Sequence, residues 1–133
     1  MNYDTIKQVI VNYFKKYPEV ISIYIFGSTV TSPDKKSNDI DIAILIKEKF
    51  KEKINTLDIM TELSSALNKD VDVVIMNDAP PLLSHEIRKK GEIIFESDPS
   101  YRKKFNVKKR KQYEDYLYIH SKYIQGLNKR YGK

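Results

Sequence analysis

The sequence predicts an α/β (α+β) fold: a small mixed β-sheet with helices packed on it, and a further helix at the C-terminus. Near the start, apolar residues recur at helical spacing, at Ile6, Val9, Ile10, Tyr13 and Phe14. Four short stretches rich in β-branched and aromatic residues follow, at Val20–Phe26, Asp39–Ile46, 71–76 and Glu92–Glu96. Helical patterns separate the later ones, so the order reads α-β-turn-β-α-β-α-β-α, which argues for one small sheet with helices on it.

Each element has its own signal. Thr5 and Gln8 stand at the spacing of a capping box for the first helix, and Pro18 stops it. The first strand, Val20–Phe26, runs into Gly27-Ser28. Ser32-Pro33-Asp34 and the polar run to Asn38 read as a flexible loop. In the second strand Ile40, Ile42, Ile44 and Ile46 alternate and face the core. A Lys/Glu-rich segment, 47–55, leads into a helix at Thr56–Leu67 with Leu57, Met60, Leu63 and Leu67 as its apolar stripe. Asn68-Lys69-Asp70 turns the chain into the third strand, where Asp72, Val74 and Met76 share a face. Pro80-Pro81 suits a helix start and Gly91 its end. Pro99 breaks the chain after the fourth strand, and a long basic helix begins soon after.

Composition narrows the function classes. A chain of 133 residues, 41% hydrophobic and 32% charged, fits one soluble domain. Its apolar runs fall short of the roughly 18–20 residues of a membrane span. The start, MNYDTIKQVI, lacks the layout of a secretory signal. Cysteine is absent, which excludes disulfides, Cys-type zinc sites and a thiol nucleophile. A cytoplasmic location is expected. The net charge of +6 is unevenly spread: residues 1–99 hold 13 basic against 16 acidic side chains, and residues 100–133 hold 11 against 2. Such asymmetry points to a partner or nucleic acid at the tail.

The chemistry concentrates in one stretch. A half-buried strand disfavours Asp, yet Asp39 and Asp41 open the second strand at i and i+2. They share a face, with Cα atoms about 6.6 Å apart at ~3.3 Å per residue. Two hard oxygen donors on a rigid ledge suit Mg²⁺, which is held by one or two carboxylates together with substrate phosphates. Gly27-Ser28 at the end of the preceding strand offers backbone N–H groups and a hydroxyl to a polyphosphate. In outline this is a nucleotide site.

Gly27-Ser28, ten residues, then Asp39-x-Asp41 resembles the G-S-x₁₀-D-x-D signature of the DNA polymerase β-type nucleotidyltransferases. The strand around Asp72 is similar to the one that carries that family's third carboxylate. The resemblance runs from about residue 5 to residue 96, and the small size resembles the minimal nucleotidyltransferases (the MNT proteins). The resemblance implies a polymerase β-like fold, with residues 1–99 as a minimal nucleotidyltransferase domain and 100–133 as its basic, Tyr-rich helical extension. It implies that Asp39, Asp41 and Asp72 are catalytic and hold two Mg²⁺ ions, and that Gly27 and Ser28 bind the nucleotide. It implies a reaction: AMP passes from ATP to a hydroxyl, with loss of pyrophosphate. It further implies a partner, a HEPN-domain toxin encoded alongside and modified on a Tyr, so that the chain acts as antitoxin in a hetero-oligomer.

There are departures. Thr29 and Ser32 stand where many relatives carry Arg and Gly, which removes a fixed cation beside the triphosphate, although Lys35 and Lys36 are near in sequence. His85 and His120, the only histidines, read as surface or packing residues rather than bases. In the tail, Tyr113, Leu117, His120, Ile124, Leu127 and Tyr131 form one helical stripe, widened by Tyr116 and Tyr123. It can pack on the protein's own sheet or on an acidic partner, aided by Lys108-Lys109-Arg110-Lys111. RNA binding rests on charge and aromatics alone. Two other functions stay open: a docking antitoxin without catalysis, and an adenylyltransferase for a small molecule such as an aminoglycoside.

Overall fold

The computed structural model describes residues 2–31 and 39–131. The elements are α1 (Tyr3–Tyr13), β1 (Val20–Phe26), a one-turn α2 (Ser28–Thr31), β2 (Asp39–Ile46), α3 (Thr56–Leu67), β3 (Asp70–Ile75), α4 (Pro81–Lys90), β4 (Glu92–Glu96) and α5 (Pro99–Tyr131). Three short 3₁₀ turns, Phe14–Lys16, Glu48–Lys53 and Met76–Asp78, follow α1, β2 and β3. The expected loop at 32–38, with Ser32, Lys35 and Lys36, lies outside the described residues.

The four strands form one sheet in the order β3-β2-β1-β4. β1 is antiparallel to both β2 and β4, whereas β2 and β3 are parallel. That parallel pair requires a crossover, supplied by α3. The sheet is therefore mixed, as predicted.

Both faces are covered, by different helices. Ile40, Ile42, Ile44 and Ile46 point to the face packed by Ile6 and Ile10 of α1 and Ile59, Leu63 and Leu67 of α3. Each fully buried isoleucine contributes about 1.5–3 kcal/mol, so β2 alone anchors this core. Ala43 and Leu45 point the other way, to Ile21, Tyr24, Met76 and Ile87, with Tyr101 and Phe105 of α5 against them. At the far end of β2, Asn77 ties down the strand terminus. Its side chain accepts from the Ile46 N–H at 3.0 Å and donates to the Ile46 carbonyl at 2.7 Å.

Several local expectations need correction. α1 starts at Tyr3, and its cap is Asn2, whose side chain accepts from the Thr5 N–H at 2.8 Å; Thr5 and Gln8 are already inside the helix. In α3 the stripe is Ile59, Leu63 and Leu67, spaced at i, i+4 and i+8, while Leu57 is 67% exposed. Met76 has left β3 and opens the following turn, still buried on the face of Val74. Gly91 does end α4, but with φ −76°, outside the left-handed region of a glycine cap. A Cβ there would meet the Ile87 carbonyl at 2.6 Å, so close packing explains the glycine. Pro99 starts a helix: the Asp98 side chain accepts from the Tyr101 N–H at 3.1 Å, which leaves Pro99 in the first turn, where its missing N–H costs nothing.

The tail divides in two. Tyr101, Phe105, Lys109 and Tyr113 hold the first half on the body; Lys109 donates to the Asn77 carbonyl at 3.3 Å, and Tyr113 stacks on His85 of α4 with ring centres 3.9 Å apart. His85 is thus a packing residue, as expected. Beyond Tyr116 the stripe leaves the body, and Leu117, Ile119, Tyr123 and Ile124 are exposed.

Candidate active site

The carboxylates gather where β2 and β3 begin, on the sheet face that α4 and α5 cover further along. In the parallel register Asp41 stands beside Asp72 and Asp39 beside Asp70, and on the other side Asp41 stands beside Phe26. Residues paired across strands share a face, so all four Asp side chains project to one side. Asp39 and Asp72 are exposed, and Asp41, between them, is half-buried. The structure thus brings together the three predicted carboxylates. It adds Asp70, which the sequence presented as a turn residue and which only strand pairing places opposite Asp39.

Asp41 bears the electrostatic load of the group. Desolvation, then the charges of Asp72 and Asp39, hold its carboxyl above the usual carboxylate range. Like charges crowded in this way favour a cation. Among the described residues no three His, Cys or acidic side chains close around a single point. The donor set itself, carboxylate oxygens on two adjacent strands, is chemically suited to Mg²⁺.

Gly27 is required twice over. Its φ of +75° turns β1 into α2, a conformation that L side chains rarely adopt. A Cβ on Gly27 would lie 2.4 Å from Asp41 Oδ2, so a bare Cα is what lets the central carboxylate occupy its place. The Val30 N–H closes the turn on the Gly27 carbonyl at 3.1 Å. Thr29 has a role that the motif did not signal: its hydroxyl donates to the Asp39 carbonyl at 3.3 Å, fastening the Gly-Ser turn to the start of β2. Ser28 opens α2 directly after Gly27.

Comparison with known proteins identifies the family. The family model described as polymerase beta, nucleotidyltransferase matches residues 8–100. The chain belongs to this family. Among curated nucleotidyltransferases it is similar to the protein adenylyltransferase MntA of Shewanella oneidensis, 32% identical over 75 residues, or 56% of this chain and 53% of that protein. The aligned part thus spans about half the length of that relative. Among solved structures it is similar to a chain in a toxin-antitoxin crystal structure with AMP-PNP, with a TM-score of 0.75 and 24% identity, covering 91% of this chain and 97% of that one. A second likeness is to a chain in the structure of the tri-AMPylated Shewanella oneidensis HEPN toxin in complex with MNT antitoxin, with a TM-score of 0.72 and 22% identity, covering 93% and 97%. Both extend the shared fold through most of α5. They establish the nucleotidyltransferase fold.

Proposed function

We propose that the protein is a Mg²⁺-dependent adenylyltransferase that moves AMP from ATP to a hydroxyl, a Tyr hydroxyl by preference, of a HEPN-type toxin, and so acts as its antitoxin. The observation that carries this reading is the Asp39–Asp41–Asp72 ledge with the bare Cα of Gly27 packed against its central carboxylate. The likeness to a protein adenylyltransferase supports the acceptor class.

In this reading Asp39, Asp41 and Asp72 are the ligands that would hold the metal, two ions when fully loaded. The metal supplies charge neutralisation on the phosphate oxygens. The Gly27-Ser28 turn presents backbone N–H groups and a hydroxyl to the β- and γ-phosphates. The acceptor oxygen bonds to the α-phosphorus as the bond to pyrophosphate breaks, and Asp72, exposed at the edge, takes up the hydroxyl proton. Positioning of the acceptor oxygen in line with the leaving group accounts for much of the rate.

Intact-mass measurement of the HEPN-type protein encoded beside this chain tests the reading. The two are co-expressed with the native sequence and with Asp39→Ala/Asp41→Ala. One or more AMP units on the partner, present only with the native chain, is the expected result. An unmodified partner that is still bound and silenced would favour the docking antitoxin instead.

A further inference from the structure

We propose that α5 beyond Tyr116 is the docking surface for the acceptor protein, which presents to it an apolar knob flanked by carboxylates; this rests on the function proposed above. Tyr113 of α5 stacks on His85 of α4, Tyr116 stacks on Tyr113 within α5 itself, and α4 begins only at Pro81. The remaining 15 residues of the helix run on alone for about 22 Å at 1.5 Å per residue. An isolated helix of that length is marginal in water, and packing of an apolar face is what normally sustains it. Here the apolar face is present without a cover: Leu117, Ile119, Tyr123 and Ile124 are 41–66% exposed.

The surface has a shape as well as a polarity. Gly126 sits inside the helix, where glycine is unfavourable relative to alanine, and a Cβ added to it would meet nothing within 4 Å. Among the described residues no contact explains the glycine. It opens a notch of about 240 Å³ lined by Tyr123 and Leu127 and flanked by Lys122 and Arg130. Such a notch takes a side chain from a facing surface. Charge decides whose. From 117 to 131 there are three basic side chains, Lys122, Lys129 and Arg130, and no acidic one. A second copy of this chain would bring like charge to like, whereas an acidic partner relieves it. Anchoring at α5 would also hold the acceptor on the enzyme at a distance from the chemistry, raising its local concentration at the site.

The test uses the full chain and the HEPN-type protein encoded beside it. Gly126→Leu fills the notch and favours the helix, so the free variant should keep or gain helical circular dichroism and melt no lower than the native chain. Its affinity for the acceptor, measured calorimetrically in an Asp39→Ala/Asp41→Ala background, should fall at least tenfold, as should that of Lys122→Glu/Arg130→Glu. In the active chain KM for the acceptor should rise while kcat holds. Unchanged affinity in both variants overturns the proposal. So does a native chain that dimerises alone and becomes monomeric as Gly126→Leu. An acceptor bound through α5 yet never carrying AMP supports the docking surface and refutes the proposed transfer. An acceptor modified by Gly126→Leu with native KM does the reverse.

Discussion

Replacing Gly27 by Ala isolates the site from the fold. Two costs enter. A non-glycine residue at φ +75° costs about 1–2 kcal/mol. The new Cβ would also stand 2.4 Å from Asp41 Oδ2, 3.3 Å from its Cγ and 3.6 Å from its Cβ. The first atom to give way is the free end of a side chain, so relief comes by rotating the Asp41 carboxylate, at little further cost in stability. For a domain of this size the total corresponds to a fall in Tm of about 4–8 °C. The carboxylate so displaced is the central one, and disturbing the orientation of one metal ligand should reduce transfer by roughly 10–100-fold. Gly91→Ala provides the contrast. There φ is ordinary, and the Cβ would meet the rigid Ile87 carbonyl at 2.6 Å, the Ile25 carbonyl at 3.3 Å and Phe26 Cβ at 3.4 Å, with no carboxylate in direct contact. It should lower Tm and reduce the specific activity of the folded protein far less than Gly27→Ala does. Thermal unfolding and intact-mass transfer assays on both variants decide the matter. A Gly27→Ala protein that melts as predicted but transfers at the native rate would refute the assigned role of the Asp41 position.

Other consequences follow from single contacts. Asp41→Asn removes a charge that is desolvated and repelled by Asp72 and Asp39, so the metal-free variant should melt above the native chain, and added Mg²⁺ should raise Tm of the native chain only. Asn77→Ala leaves the Ile46 N–H and carbonyl without their side-chain partner and should cost about 1–3 kcal/mol in urea denaturation, with KM for ATP unchanged. Hydrogen bonds from Asn77 and Lys51 hold the Glu48 carboxyl below its ordinary range. Its stabilising contribution is therefore present above the unfolded pKa and lost as pH falls through the folded one. Glu48→Gln should be less stable than native at neutral pH, by no more than about 1 kcal/mol for so exposed a group, with the difference vanishing in acid. Asn68 ends α3 at φ 52°, so Asn68→Ala should cost about 1 kcal/mol and lower Tm without effect on transfer.

The strands were legible because their signals are redundant. In β2 the alternation of Asp and Ile states both the period and the buried face, and the same residues announce the site. Helix boundaries were less so, because one residue type serves two ends. Thr5 and Asn2 both offer caps, and only the structure shows Asn2 taking the Thr5 N–H. Pro99 reads equally as a breaker or a first-turn residue, and Asp98 just before it was the available clue. In α3, Leu57 and Ile59 lie on opposite sides of the wheel, each extensible to Leu63 and Leu67 by a loose stripe; the tighter i, i+4, i+8 series is the buried one. Contacts between strands were not legible at all. Asp70 beside Asp39, and the Gly27 Cα against Asp41, exist only through pairing register.

Placement of the carboxylates explains how the fold tolerates them. They occupy the first turns of β2 and β3 on the face whose covering helices, α4 and α5, pack mainly against residues further along the strands. On the opposite face the same strands bury Ile40, Ile42, Val71 and Val73 under α1 and α3. Each strand is thus held by one side while the other carries charge at its open end. Because stability comes from the isoleucine face, losing the charges should relieve repulsion without loosening the sheet. Chemistry and fold are separable here, and a chain stripped of its carboxylates should still fold. This is why the double Asp39→Ala/Asp41→Ala variant is a fair probe: whatever it fails to do is missing chemistry, and whatever it still binds is held by the rest of the surface.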